Sequence, residues 1–165
     1  MEYVGQLNIK RLCNFYVSDL HLSVMLLPYI SKQIDEDVEI TTIFEKIDKA
    51  DIEKILDKLN IKNKNEVLNI NWFNSSKDSD NDIIKNVENS IKNNRKINII
   101  IGGSKDYILE NNKKIKECFK DIHSNADIKI IDCYDVEEVE KEMKDIVKNY
   151  EVILNTSGEF KLGEK

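Results

Sequence analysis

Residues 97–107 have the sequence INIIIGGSKDY, and this stretch decides the fold. It begins with a short apolar run, continues with the only Gly-Gly pair of the chain, and then enters a helical pattern. A strand that is apolar on both faces is typical of the middle of a parallel sheet covered by helices on each side. The stretch therefore predicts a buried strand, a tight turn and a helix start, at the kind of loop where open α/β sheets bind ligands.

Strand and helix patterns alternate on both sides of this stretch. Strands are predicted at residues 8–17, 38–44, 67–73, 97–103, 128–134 and 152–156. Helices are predicted between them, at residues 20–35, 50–59, 83–93, 104–123 and 136–150. Such spacings are typical of βαβ units with right-handed crossovers. The sequence thus predicts an α/β fold: a three-layer, Rossmann-like, parallel-rich sheet of about five or six strands with helices on both faces.

Length and composition favour one domain over residues 1–165, with residues 1–7 and 158–165 expected to be flexible. The formal net charge of -6 argues against a nucleic-acid partner. No apolar run is long enough to span a membrane and no signal-peptide pattern is present, so we expect a cytoplasmic protein without a membrane partner. Three cysteines without a CxxC predict neither a disulfide framework nor a zinc site.

The string SDLHL at residues 18–22 follows the first predicted strand. It is similar to the first motif of calcineurin-like metallophosphoesterases, in which the Asp and His bind metal. The further ligands that a two-metal site needs are absent from the chain. The favoured alternative is that Ser18 or Asp19 caps a helix and that His21 lies in its first turn. We therefore predict no metal site and no metal-dependent phosphoesterase activity.

The turn Gly102-Gly103-Ser104-Lys105 is a second candidate site. Glycines allow a ligand to approach the backbone closely, and a helix N-terminus favours an anion. The turn matches neither the P-loop nor the GxGxxG pattern, and glycines also occur in tight turns without a ligand. If an anion binds this protein, we expect it here, and Gly103→Val should then abolish the thermal stabilisation that the ligand provides.

Polar residues that follow parallel strands meet at the carboxyl edge of the sheet. We expect convergence there of Ser18, Asp19, Glu45, Asn74, Gly103, Ser104, Asp135, Thr156 and Ser157. Carboxylates and carboxamides favour a cation or a polar small molecule over bare phosphate, although helix capping also explains these residue types. The candidate ligand-binding residues are Ser18, Asp19, His21, Gly102, Gly103, Ser104, Lys105 and Asp135. No residue is assigned a catalytic or metal-binding role, and the cofactor is unknown.

The predicted helix at residues 20–35 is apolar around most of its circumference. A helix that packs on one sheet face needs an apolar stripe of only about 100°. The excess predicts a homodimer with this helix near the two-fold axis. We expect Leu22, Met25, Leu26 and Tyr29 to divide between the sheet and the partner.

Residues 13–35, CNFYVSDLHLSVMLLPYISKQID, resemble the start of a MEDS domain, in which a Cys-x-Phe-Tyr strand leads to an acidic turn and a helix with a Pro-Tyr-Ile type ending. IDCYD at 131–135 and VILNTSGEF at 152–160 resemble later strands of that family. The resemblance implies a RecA-like domain that has lost the phosphate loop and serves as a sensory or regulatory module.

A complete fold pattern without a complete catalytic set favours a non-catalytic, cytoplasmic regulatory or sensory module that binds a small polar ligand or a protein. One alternative is a small enzyme that acts on a phosphorylated or nucleotide substrate through the turn at residues 102–105 and Asp19. These two hypotheses differ in whether the carboxyl edge forms a pocket with converging polar groups. A purely structural interaction protein, the other alternative, predicts an exposed apolar patch and no pocket.

Overall fold

The computed structural model describes residues 2–4, 7–74 and 76–162, with side chains described from residue 7 onward. The strands in these ranges are β1 (Glu2–Val4), β2 (Leu7–Tyr16), β3 (Glu39–Phe44), β4 (Asn71–Asn74), β5 (Lys96–Gly103), β6 (Asp127–Asp135), β7 (Val152–Asn155) and β8 (Gly158–Lys161). The helices are α1 (Asp19–Asp35), α2 (Lys49–Leu56), α3 (Lys64–Leu68), α4 (Asp80–Asn93), α5 (Lys105–Phe119), α6 (Val136–Val139) and α7 (Met143–Val147), with a 3-10 turn at Glu140–Glu142.

The eight strands of the described chain form one sheet in the order β4-β3-β5-β6-β2-β7-β8, and β1 pairs with β2. The strands from β4 to β7 are parallel, whereas β1 and β8 are antiparallel to their neighbours. Helices α1 to α3 bury apolar side chains on one face, which we call the α1 face. Helices α4 to α7 do so on the opposite face, the α5 face. The predicted three-layer α/β fold is confirmed.

Strand β5 lies inside the sheet, as its apolar run predicts. Ile99 and Ile101 are buried on the α5 face and Ile100 on the α1 face. Removing each such side chain from water contributes about 1.5–3 kcal/mol, which explains why an uninterrupted isoleucine run stays in the centre. Helix α5 begins directly after the strand, because the Ser104 hydroxyl accepts the Tyr107 N–H at 3.1 Å as an N-cap.

Two predicted elements differ from the structure. Residues 67–68, predicted as the start of a strand, belong to α3, because this turn buries Val67 on the α1 face; the strand itself begins at Asn71. The predicted continuous helix at 136–150 is broken into α6, the 3-10 turn and α7. The residues of this segment that pack on the α5 face are Val139, Met143, Ile146 and Tyr150, and they keep the spacing of a helix face across the break.

Both flanking segments carry strands where no element was predicted. Glu2–Val4 forms β1, and Leu7 is a fully buried core residue at the start of β2. Gly158–Lys161 forms β8, which pairs with β7. Residues 1, 5, 6 and 163–165, also expected to be flexible, lie outside the described residues.

Helix α1 buries more of its surface within the chain than expected. Leu22, Met25 and Leu26 are all buried among the apolar residues of the α1 face. The expectation that these three residues divide between the sheet and a partner subunit is therefore wrong, because the sheet together with α2 and α3, which also contact α1, buries them within the chain. Over the described ranges, no helix is both long and apolar enough to cross a bilayer.

The α1 face of the sheet is apolar in one half and polar in the other. Toward the carboxyl ends, a row formed by Ile100, Ile131 and Leu12 lies beneath α1. Two residues earlier in each strand, the neighbouring positions are Asn98, Lys129 and Lys10. We call these last three residues the basic floor.

Candidate functional site

Five candidate residues meet at the carboxyl edge. Asp19, Gly102, Gly103, Ser104 and Asp135 line one cavity, so sequence reasoning brought the right residues together there. The cavity measures only about 10 Å³, which is room for about one water molecule. Sites for small molecules usually enclose roughly 300–1,000 Å³. Part of the predicted convergence therefore exists, but it forms no pocket of ligand size.

The chain's own Glu45 fills the turn where an anion was expected. The Ser104 N–H, at the N-terminus of α5, donates to Glu45 Oε1 at 3.0 Å. A Cβ atom on Gly103 would lie 2.8 Å from the Glu45 Cβ and 2.9 Å from the Tyr107 ring. A Cβ on Gly102 would lie 2.7 Å from the Phe44 ring. Internal packing thus requires both glycines, and an internal carboxylate already complements the helix dipole.

The other candidates, Ser18, His21 and Lys105, do not line this cavity. The Ser18 hydroxyl accepts the His21 N–H at 3.0 Å, and His21 Nδ1 accepts the Val17 N–H at 3.1 Å. The cap predicted at Ser18 or Asp19 is therefore confirmed, and Ser18 provides it. Lys105 forms an ion pair with Glu142 at 3.0 Å. Among residues 7–74 and 76–162, no three His, Cys, Asp or Glu side chains are grouped so that they could hold a metal ion.

Asp135, which lines the small cavity, also caps α6, with its Oδ1 accepting the Glu137 N–H at 3.0 Å. The rest of the expected carboxyl-edge set is dispersed. Asn74 is buried and donates to the Ile47 carbonyl at 3.0 Å. Thr156 and Ser157 line a different cavity, beside α1, because β7 turns back into β8 instead of leading into a helix. The expectation that these two residues join the carboxyl-edge group is wrong.

A larger polar site, which sequence reasoning missed, lies over the basic floor. Its cavity measures about 380 Å³, within the range of small-molecule sites. The polar lining side chains include Asn8, Lys10, Gln33, Lys96, Asn98 and Lys129. A neighbouring cavity of about 540 Å³ shares Gln33, Glu36 and Lys129 with it and runs along α1 to the β7–β8 turn.

A carboxylate from β8 is bound on this floor. Glu159 Oε1 accepts from Lys10 Nζ at 2.9 Å, and Glu159 Oε2 accepts from Lys129 Nζ at 2.5 Å. The Tyr29 hydroxyl donates to the same Oε2 at 3.1 Å. Partial burial would raise the pKa of Glu159, but the hydrogen bonds from Lys129 and Lys10 lower it to about 2. Two lysines of the floor and Tyr29 of α1 therefore stabilise the Glu159 carboxylate.

Other amide side chains lie beside the basic floor and contact it or its rim. Asn98 is buried and donates from Nδ2 to Gln33 Oε1 at 3.1 Å. Asn8 donates from Nδ2 to Asp127 Oδ1 at 2.8 Å at the outer rim. Glu36 and Asp127 also line the cavity, so its wall offers acceptors as well as donors.

A second charged cluster lies on the opposite face of the same two strands. Asp132 is 0% exposed and accepts from Arg11 at 3.0 Å, Asn112 at 2.8 Å and the Tyr150 hydroxyl at 2.5 Å. The Tyr150 and Tyr134 hydroxyls lie 2.6 Å apart. Burial raises the pKa of Asp132, and the Arg11 guanidinium opposes that shift. Through Asp132, this cluster connects β6 to β2, to α5 and to Tyr150, which follows α7.

The sequence carries a signal for the floor. Three strands open with the pattern polar-Ile-polar: NIK at 8–10, KIN at 96–98 and DIK at 127–129. Period-two alternation places the isoleucines on one face and the polar residues on the other. Three such openings in neighbouring strands predict a polar patch on one sheet face, which apolar runs alone do not reveal.

Comparison with protein-family models, with curated proteins and with solved structures finds no match to this chain.

Proposed function

We propose that the protein is a non-catalytic, cytoplasmic regulatory or sensory module that acts by binding. The observation that supports this proposal is the closed carboxyl edge. Glu45 occupies the helix N-terminus that an anionic substrate would need, and about 10 Å³ remains beside it. A substrate entering this edge would have to displace an internal carboxylate that also packs against Gly103.

The sequence resemblance to MEDS domains agrees with this proposal, since that family is associated with sensing rather than catalysis. It rests on residues 13–35, 131–135 and 152–160. The turn at 102–105, the chain's glycine-rich candidate for phosphate binding, donates a backbone N–H to Glu45 instead. A module of this kind works through ligand-dependent changes in its surface.

Self-association through α1 stays part of this proposal. With Leu22, Met25 and Leu26 inside the chain, a dimer would use the exposed apolar residues Leu20 and Val24, which are 61% and 43% exposed. Sedimentation velocity at micromolar protein should show twice the chain mass, and Leu20→Glu should return it to a monomer that melts at the same temperature. A wild-type monomer at every concentration would remove the dimer from the proposal.

An activity assay tests the proposed function. The protein, supplied with manganese, should show no turnover of a generic phosphodiester, a phosphomonoester or a nucleoside triphosphate above a buffer blank. The matched variants are His21→Ala and Asp19→Ala, which change the motif at 18–22. Turnover that is present in the wild type and lost in either folded variant would contradict the proposal and favour the small enzyme.

A further inference from the structure

We propose that the basic floor is a binding site for a small dicarboxylate and that Glu159 is its built-in competitor. The proposal rests on the proposed function, because it supplies the ligand class that a binding module requires. It starts from Lys10 and Lys129, which are directly paired in the β2–β6 register and point to the same face. Like charges at paired positions of a sheet repel each other, so the pair needs an anion between them.

The anion between the lysines is the Glu159 carboxylate, and its contacts are those of a bound ligand. Each of its oxygens accepts from a different lysine, and Tyr29 adds a third donor. Charge-assisted hydrogen bonds of this type are the strong ones, and three of them specify the position of the group. The side chains are 28%, 29% and 23% exposed for Lys10, Lys129 and Glu159, so solvent reaches the site.

The element that supplies the carboxylate is weakly anchored. Strand β8 has four residues, and among the described strands it pairs only with β7, at the edge of the sheet. A short two-stranded hairpin has little stability of its own. Withdrawing Glu159 from the lysines therefore disturbs no buried element, and an external carboxylate can take its place.

The space beyond Glu159 defines the rest of the ligand. Lys10, Lys129 and a third cation, Lys96, all line the 380 Å³ cavity, together with the carboxylates of Glu36 and Asp127. Gln33 and Asn98 add amide groups to the same lining. A short chain with a carboxylate at each end would bind the lysine pair with one end and approach Lys96 with the other.

Isothermal titration with glutarate, a five-carbon dicarboxylate, tests the proposal. Wild-type protein has a tethered competitor, whose effective concentration is of the order of millimolar. Glu159→Gln keeps the shape of the side chain and removes its charge, so it should bind glutarate at least about tenfold more tightly than wild type. Glu140→Gln, which removes an equal charge on the exposed 3-10 turn, should bind as wild type does.

Two further variants identify the site. Adding Lys129→Met or Lys10→Met to Glu159→Gln should weaken glutarate binding at least about tenfold, while circular dichroism confirms the fold. Absence of binding to Glu159→Gln, equal affinity in Glu159→Gln and wild type, or binding that survives both lysine changes would overturn the proposal. Equal affinity for inorganic phosphate would overturn the dicarboxylate assignment.

The glutarate experiment and the activity assay can fail independently of each other. Turnover that depends on His21 or Asp19 would contradict the non-catalytic role without changing glutarate affinity at the floor. Failure of glutarate binding, with no turnover detected, would contradict the floor site alone.

Discussion

Two ionic clusters lie on opposite faces of the same pair of strands, and their cations are consecutive residues. Arg11 faces the α5 side and bonds Asp132, a carboxylate from the neighbouring strand that is fully buried. Lys10 faces the α1 side and bonds Glu159, a partly exposed carboxylate from an edge hairpin. The two clusters share the strand register and differ in burial and in where the carboxylate comes from.

This difference predicts that the buried ion pair stabilises the fold, whereas the exposed ion pair can exchange its carboxylate for a ligand. Removing one partner of a buried pair leaves an uncompensated charge in the interior, which costs far more than the pair contributes. An exposed pair is screened by solvent and contributes little to stability. We therefore expect the Asp132 cluster to hold β2 and β6 together, and the Glu159 cluster to be available for ligand exchange.

The largest expected effect is that of Asp132→Ala. The change leaves Arg11 and the Tyr150 hydroxyl without their buried acceptor, so the free energy of unfolding should fall by about 3–5 kcal/mol. Asp127→Ala removes an exposed carboxylate from the start of the same strand and should change stability by about 0.5 kcal/mol or less. Urea denaturation measures both variants. Equal losses of unfolding free energy would contradict the structural role assigned to the buried Asp132 cluster.

Gly103→Val should have an intermediate effect. The new side chain would collide with Glu45 and Tyr107, and overpacking of this kind costs about 1–3 kcal/mol. Because the carboxyl edge is closed, glutarate affinity at the floor should not change. Gly158→Val should lower the free energy of unfolding by less, because a Cβ there meets open space. The positive φ of 108° at Gly158 still disfavours a side chain. A change in glutarate affinity with unchanged stability would place the ligand at the carboxyl edge instead.

Glu159→Gln should have the smallest effect on stability, about 0–1 kcal/mol at neutral pH. The pKa of Glu159 is lowered from 4.5 to about 2 in the folded protein, so the charged form favours folding. Its contribution is complete above the unfolded pKa and is lost as the pH falls from about 4.5 toward 2. The stability difference between wild type and variant, measured by urea denaturation, should shrink over that pH range. A difference that grows on acidification would contradict the assigned ion pairs.

The sequence predicts the parts of the fold that depend on local patterns. The isoleucine run of β5, the cap at the start of α1 and the βαβ order all follow from period and composition. The floor depends on which strands become neighbours and in what register. Both are set by contacts between residues far apart in sequence, which local patterns do not predict. Lys10 and Lys129 are 119 positions apart in sequence and meet only because β2 lies beside β6.

The carboxyl edge shows a second limit of sequence reasoning. Strand ends and glycines indicated some of the residues that meet there, but not that Glu45 fills the space between them. The space left at a turn depends on how neighbouring strands are aligned. Glu45 follows β3, whereas the turn at 102–105 follows β5. Glu159, in a segment expected to be flexible, could not be assigned to the floor for the same reason.

The most direct test maps where a small carboxylate binds. Amide chemical shifts of isotope-labelled wild-type protein, followed by NMR during a glutarate titration, report every affected residue at once. We expect the shifts that change to centre on Lys10, Lys129 and residues 155–161, with residues 102–105 unaffected. Changes centred on residues 102–105, with Lys10 and Lys129 unaffected, would contradict the account.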